Sequence, residues 1–322
     1  MRVVFVPSSV RKPFGFIDRS VMTALRRRGC RVRLLSPSDS PERDWKKIMK
    51  RWRPQLLLVM LGVRLSPVFL EWLQTVRVPR AVWFTDDPYA IDVSLRICHA
   101  FDWVFTNESA AVPVYRSFGV SRVHHLPLAA PVPAYSPVAR IKKVYRSQLV
   151  MVGSAFRNRV SAIRRLGPFL RNYQVKLVGP GWNIVNGQSG IRVRNEWVKP
   201  EEARQYYNGA DIVLNFHRWH KDPHLKQNRR GVRADTPNNR TFEIAACRAF
   251  QLLDYRPDLD RFFEPGKEIV SFRTSEEFKE LVRFYLPRER LRREIAEKAY
   301  RRTMAEHLYE HRIDILLDTV FS

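Results

Sequence analysis

Cysteine is scarce in this 322-residue chain: Cys30, Cys98 and Cys247 are three, an odd number, and far apart. That excludes a disulfide framework and gives no spacing for a cysteine zinc cluster. Long apolar runs are missing too. The best, Leu56 to Val63, falls far short of the ~18–20 residues of a membrane span. The opening run Arg2–Pro7 reads as a strand, without the longer apolar stretch and small-residue cleavage site of an export signal. Neither G-x-G-x-x-G nor G-x-x-x-x-G-K-[ST] occurs, so the dinucleotide fingerprint and the P-loop are both absent. Acidic residues are also outnumbered, 32 against 57 basic, for a net charge of +25. What is present suffices for a core: 45% hydrophobic and 12% aromatic residues exclude a disordered chain. The length exceeds one typical domain of ~100–200 residues, so two domains are expected.

The positive charge is spread over both halves and is carried mostly by arginine. It favours attraction to polyanions, whether nucleic acid, anionic lipid or an acidic polysaccharide. An arginine-rich solvated surface explains the same number equally well, so charge alone names no partner.

The first half alternates apolar strand-like runs (2–7, 31–36, 55–60, 80–85, 102–107, 122–128) with stretches of helical spacing (16–28, 43–52, 67–75, 91–100, 109–118). Four prolines then fall within Leu126–Pro137, the composition of a linker. The pattern restarts with strands at 148–153, 175–179, 211–216, 250–254 and 268–272, and helices at 158–171, 200–208, 239–249, 275–286 and 288–307. A last amphipathic stretch, Tyr309–Val320, closes the chain. Continuous apolar strands separated by helices specify parallel sheets covered on both faces. The expected fold is therefore α/β, with two Rossmann-like doubly wound domains facing across a cleft. The divisions are 1–130, a proline-rich linker 131–145, 146–306, and a terminal helix 307–322. In such sheets ligands lie outside the carboxyl ends of the strands.

Those strand ends carry the candidate chemistry. Gly153-Ser154 ends a strand and opens a helix, a small-residue turn suited to a phosphate, with Arg157 able to add charge; taken on its own, the pair reads better as a purely structural turn. Gly179 and Trp182 end the next strand, and Trp182 could stack on a base or sit buried beneath the turn. Asn215 and His217 end the strand 211–216. With His220, His224 and the distant His125, His217 invites a metal reading, but no H-x-x-x-H or H-E-x-x-H spacing lies on a helix, since Pro223 disfavours one between His220 and His224. Asn238 or Asn239 caps a helix bearing Arg240, Thr241 and Glu243. Arg240 could meet a diphosphate and Glu243 a ribose diol, or the two could simply pair. Asp86 and Asp87 follow the strand 80–85, placed for a general base or for an N-cap. Asp258-Leu-Asp260 spells D-x-D but reads better as a helix start after Pro257.

The run Asn239-Arg-Thr-Phe-Glu-Ile-Ala-Ala-Cys, then Phe250–Leu259, Phe262–Val270, Phe284–Leu286 and Glu306–Arg312, resembles the spore-maturation CgeB-type glycosyltransferases. The resemblance is strong over about 239–312, moderate over 148–217, and mainly architectural before that, apart from Trp83–Pro88 and Leu126–Ala130. It implies a GT-B fold, with the nucleotide sugar on the C-terminal domain, the acceptor on the N-terminal one, the terminal helix 307–322 crossing back to the first domain, and no bound metal or other cofactor. Glu243 matches the carboxylate that holds the nucleotide ribose. Asp235 stands where many retaining relatives carry the first glutamate of E-x7-E, and Arg248 where a glycine is usual; both depart from the pattern.

The expectation is a cytoplasmic, metal-independent, hexosyltransferase-type enzyme acting for a spore-coat or cell-surface glycan. It would move a sugar from a nucleoside diphosphate to an acceptor hydroxyl. Catalytic candidates are Asp86 and Asp87. Donor-binding candidates are Gly153, Ser154, Arg157, Gly179, Trp182, Asn215, His217, Asn239, Arg240, Thr241 and Glu243. The charge suits an acidic acceptor and allows peripheral contact with an anionic membrane or a spore surface. The competing reading is a non-catalytic basic protein binding nucleic acid or an acidic surface polymer. No zinc finger and no RNP-type strand is present, so nucleic acid is not the expected partner.

Overall fold

The computed structural model describes residues 1–10, 14–38, 41–185, 187, 190–222 and 225–322. The chain forms two units. Unit 1 comprises Met1–Leu128, Pro223–Thr236 and Tyr309–Ser322; unit 2 comprises Ala129–Asp222 and Pro237–Leu308. The stretch 223–236, which the sequence places inside the second domain, thus groups with the first.

Unit 1 is built on β1 (Arg2–Val6), β2 (Arg31–Leu34), β3 (Leu56–Met60), β4 (Arg80–Phe84), β5 (Trp103–Thr106) and β6 (Val123–His125). They form one parallel sheet in the order β2-β1-β3-β4-β5-β6. Around it lie α1 (Phe14–Arg27), α2 (Glu42–Trp52), α3 (Pro67–Gln74), α4 (Ile91–Ile97) and α5 (Val112–Ser117). Every residue of β3 is buried, as a central strand covered on both faces requires, whereas edge strand β2, Arg-Val-Arg-Leu, stays mostly exposed.

Unit 2 repeats the plan with β7 (Ser147–Val152), β8 (Val175–Val178), β9 (Ile191–Arg194), β10 (Ala210–Asn215), β11 (Gln251–Asp254) and β12 (Val270–Phe272). The order is β12-β11-β10-β7-β8-β9, again all parallel. Its helices are α6 (Arg157–Leu170), α7 (Pro200–Gly209), α8 (Asn239–Ala246), α9 (Ser275–Tyr285) and α10 (Glu289–Glu306). The sequence reading misses β9: Ile-Arg-Val-Arg is a four-residue edge strand whose arginines interrupt any apolar run. The strand order reverses between β7 and β10, and such a switch point is where ligands of open α/β sheets bind.

The last helix, α11 (Tyr309–Phe321), belongs to unit 1 and packs on α1. Ile313 and Leu316 are fully buried. Arg27 pairs with Glu310 at 2.6 Å and Arg28 with Asp314, while Arg312 Nε donates to the Pro127 carbonyl at 3.0 Å. Leu316→Ala would leave a cavity in this contact and should cost ~2–5 kcal/mol. Urea unfolding measures it; an unchanged midpoint would show that α11 contributes no packing energy.

Candidate functional site

At the carboxyl edge of unit 2, β7 ends in Gly153 with φ 141°, a conformation that side-chain-bearing residues rarely adopt. A Cβ there would lie 2.7 Å from Nη2 of Arg240 and 3.1 Å from Nη1 of Arg159. Two guanidinium groups therefore converge on one bare Cα beside the N-terminus of α6. Arg159 is buried and donates to the carbonyls of Phe216 (2.7 Å) and Ser154 (2.9 Å). Arg240 is half-buried and donates to the Tyr207 hydroxyl. Clustered arginine donors and a helix N-terminus are the groups that bind phosphate oxygens.

The start of α8 is fixed from behind. Asn238 caps the helix, its side-chain oxygen accepting from Thr241 N–H at 3.1 Å. Fully buried Asn215 at the end of β10 exchanges amide bonds with Asn238 and donates to Thr241 Oγ1 (3.0 Å) and Gln251 Oε1 (3.2 Å). One turn on, Glu243 accepts from Asn239 Nδ2 at 2.6 Å and from the Tyr135 hydroxyl. Burial pushes its pKa up to about 7, against the pull of Arg240, Asn239 and Tyr135.

Beside them, His217 is buried, and Asp254 Oδ1 accepts from its backbone N–H (2.7 Å) and its ring Nδ1 (2.9 Å). Burial opposes ionisation of Asp254, but His217 and Arg256 outweigh it and hold the carboxyl at about 2. Burial lowers the pKa of His217, against the pull of Asp254. Its Nε2 is buried with no hydrogen-bond partner among the described residues.

Unit 1 has its own strand-end chemistry. Asp87 is 1% exposed, and its carboxylate accepts from Thr106 Oγ1 (2.7 Å), Tyr115 OH (2.8 Å) and Ser94 Oγ (3.0 Å). Burial raises its pKa against those three hydroxyls. Asp86 is partly exposed. At the end of β1, buried Asp18 accepts from the Ser8 hydroxyl at 2.7 Å and backbone N–H at 3.1 Å, and burial pushes its pKa up to about 6. Glu108, also buried, accepts from the backbone N–H groups of Asp235 (3.0 Å) and Thr236 (3.2 Å), and so anchors the stretch 223–236 within this unit.

A family model described as glycosyl transferase-like matches residues 157–318, which contain this edge of unit 2 apart from β7 and the Gly153-Ser154 turn that follows it. The chain belongs to that family. It is 29% identical over 315 residues to spore protein CgeB of Bacillus subtilis (strain 168), covering 96% of each chain. Among solved structures it superposes on sucrose-phosphate synthase from Thermosynechococcus elongatus with a TM-score of 0.69 at 11% identity, covering 100% of this chain and 99% of the other. It also superposes on Anabaena HepE in complex with UDP-glucose, with a TM-score of 0.69 at 11% identity and 99% coverage of each. The fold is GT-B, and the CgeB-like resemblance in the sequence holds over nearly the whole chain. Family and fold together support a glycosyltransferase.

Against the sequence candidates, the structure gathers Gly153, Ser154, Asn239, Arg240 and Glu243 at one edge of this glycosyltransferase-like unit. Trp182 cannot stack on a base: it is fully buried and donates Nε1–H to the Gly153 carbonyl at 2.7 Å. Gly179 serves packing, since a Cβ there would lie 2.4 Å from that same carbonyl. Asn215 and Thr241 are fully buried supports, and Arg157 is exposed. The arginine beside Gly153 is instead Arg159, which a reading limited to the turn itself passes over. Asp87 is sealed from solvent beneath the hydroxyls of Thr106, Tyr115 and Ser94. Asp18 was also missed; its signal was an acid among the apolar positions of α1. No group of three or more potential metal ligands occurs among the described residues, and His224 lies outside them.

The raised pKa of Glu243 sets a sign. From its ordinary 4.5 to about 7 the folded state holds the extra proton, so stability falls as pH rises through that window. Above it the buried charge costs on the order of 3 kcal/mol. Asp18 contributes with the same sign at lower pH, so the difference between parent and variant isolates Glu243. Glu243→Gln should flatten the pH profile of the urea midpoint between pH 4.5 and 7 and raise it above pH 7. Parallel profiles for the two proteins would contradict the assignment.

Proposed function

We propose that this protein transfers a hexose from a nucleoside diphosphate sugar to an acceptor hydroxyl, without a bound metal or other cofactor. The observation that carries the reading is the Arg240 guanidinium lying on the bare Cα of Gly153, at the switch point of the unit 2 sheet. A diphosphate there would meet Arg240 and the free N–H groups at the start of α6. Both favour the negative charge left when the bond from C1 to the diphosphate oxygen breaks. Ser154 and Asn239 would line the diphosphate, while Glu243, one helical turn from Arg240, would accept the ribose hydroxyls. Exposed Arg157 can add long-range attraction for the donor, and His217 a polar wall.

The acceptor oxygen forms the new bond to C1, and its proton must pass to a base. Of the two aspartates after β4, only Asp86 is open to solvent, and it is the base on this reading; Asp87 shapes the loop beneath it. The spore protein CgeB and the HepE complex with UDP-glucose support a uridine nucleotide donor and a spore-coat or cell-surface glycan acceptor. The net charge of +25 suits an acidic acceptor or an anionic surface in the cytoplasm.

Thermal stabilisation by UDP, GDP, dTDP and their sugar conjugates tests the donor, with single-stranded DNA as control. A native-state ligand at ~100 times its Kd adds ~2.7 kcal/mol. One nucleotide family should shift the melt; a shift with DNA alone would overturn the reading. Arg240→Ala should fold normally and lose ~100-fold or more in donor turnover, by removal of a charge-assisted phosphate contact. Normal kinetics in that variant would sink the assignment. Asp86→Asn should lower kcat by ~10²-fold or more with an unchanged melting temperature. Asp87→Asn should instead lower stability by ~1–3 kcal/mol, through the mismatch it creates with three hydroxyl donors; the opposite pattern would exchange their roles.

A further inference from the structure

Unit 2 also holds a cavity of about 460 Å³ at the other edge of its sheet, where Ser147 and Ala210 begin β7 and β10. Its size is that of a small-molecule site, ~300–1,000 Å³. It is distinct from the Gly153 turn, because the six residues of β7 separate the two by about 17 Å at ~3.3 Å per residue. Arg146, Arg248, Arg292 and Arg293 line it, against two carboxylates, Asp211 and Glu289. Those carboxylates are already committed: Asp211 pairs with Arg292 at 3.0 Å and Glu289 with Arg293 at 2.5 Å. Arg248 holds a left-handed backbone, φ 55°, and leans on Glu297, which is not part of the wall. Arg146 is exposed and has no ion-pair partner among the described residues. The wall therefore carries a surplus of two positive charges.

A second observation is independent of charge. Ser147 is 7% exposed, and its hydroxyl is buried with no hydrogen-bond partner among the described residues. A buried hydroxyl left unmatched is costly, so native structures supply it with a partner. This one stands in the wall of a basic cavity, beside arginines whose remaining N–H groups can donate to oxygen.

We propose that this cavity is a binding site for a compact dianion, a phosphoryl group either free or carried by a small ester. Ser147 would donate its hydroxyl, and Arg146 and Arg248 would supply charge. The site does not depend on the donor reading above.

Calorimetric titration with inorganic phosphate and with glucose 6-phosphate, at constant ionic strength in chloride, tests it in the parent, Arg240→Ala, Arg146→Gln and Ser147→Ala proteins. Saturable binding of one dianion per chain is expected in the parent and retained in Arg240→Ala. Arg146→Gln should weaken it about tenfold and Ser147→Ala about fivefold. Both sites are replaceable without loss of a native contact, so their melting temperatures in the absence of phosphate should match the parent. Tighter binding of the ester would assign the site to a phosphorylated metabolite, and tighter binding of phosphate to the free ion. Unchanged affinity in both cavity variants, loss of binding in Arg240→Ala alone, or no saturable binding would overturn the proposal.

Discussion

One close approach organises the carboxyl edge of unit 2: the Arg240 guanidinium against the Cα of Gly153. It requires the absence of a side chain at Gly153, and the neighbouring turns are built to the same tolerance. Gly179 lies against the Gly153 carbonyl, and Trp182 donates to that same oxygen from below. The turns after β7 and β8 are thereby locked as one piece, leaving the upper side of Gly153 to arginine. From the other direction, Asn215 ties the cap of α8 to the end of β10 and to Gln251 of β11. The guanidinium is thus held at both ends, by a helix whose start is pinned and by a turn that cannot shift. Positioning of this kind is what transition-state stabilisation demands, since donors that must reorganise during the reaction lose much of their value.

Buried carboxylates in this protein divide by what surrounds them. Asp254 stays ionised because His217 and Arg256 compensate its burial; it orients the imidazole of His217 and is spent in doing so. Asp87 is surrounded by hydroxyls, which ease burial without supplying charge, so its pKa rises and it acts as a tie between β5, α4 and α5. Glu243 lies between these cases. Burial, against one arginine, one amide and one phenol, leaves its pKa at about 7, so that it changes charge close to physiological pH. A carboxyl so poised can accept hydrogen bonds from a diol more strongly as it ionises, and a neighbouring diphosphate on Arg240 would oppose that ionisation. On the proposed reading, donor binding and the protonation of Glu243 would be linked for that reason.

The sheets were legible because central parallel strands must be apolar on both faces; Leu56–Met60 could hardly be anything else. The edge strand β9 was not, because half its residues face solvent as arginine. The edge of unit 2 that gathers Gly153 and Arg240 was legible from the small residues at Gly153 and the cap at Asn238, both of which leave a mark in sequence. What each polar residue does there was harder to read, since burial decides it. Trp182 and Asn215 carry groups fit for a ligand, yet both spend them on the protein. Likewise nothing in Asp86-Asp87 says which faces water; Thr106 and Tyr115, distant in sequence, settle that. Arg159 escaped notice because a helical arginine two residues past Arg157 gives no sign of folding inward.

The excess of arginine over lysine follows from the same geometry. Arg2, Arg80, Arg159, Arg288, Arg292 and Arg312 all donate to backbone carbonyls, and Arg80 and Arg292 also pair with Asp102 and Asp211. Other arginines lie over aromatic rings, Arg122 on Trp103 at 4.9 Å and Arg273 on Tyr255 at 3.5 Å. A planar fork can serve a carbonyl and a carboxylate at once, or stack while donating, where an ammonium cannot. Part of the +25 charge is therefore structural, spent on chain segments that end without a backbone partner. A polyanion would be drawn to the exposed remainder; at Gly153, by contrast, two guanidinium groups are held in fixed geometry against a backbone with no side chain in the way.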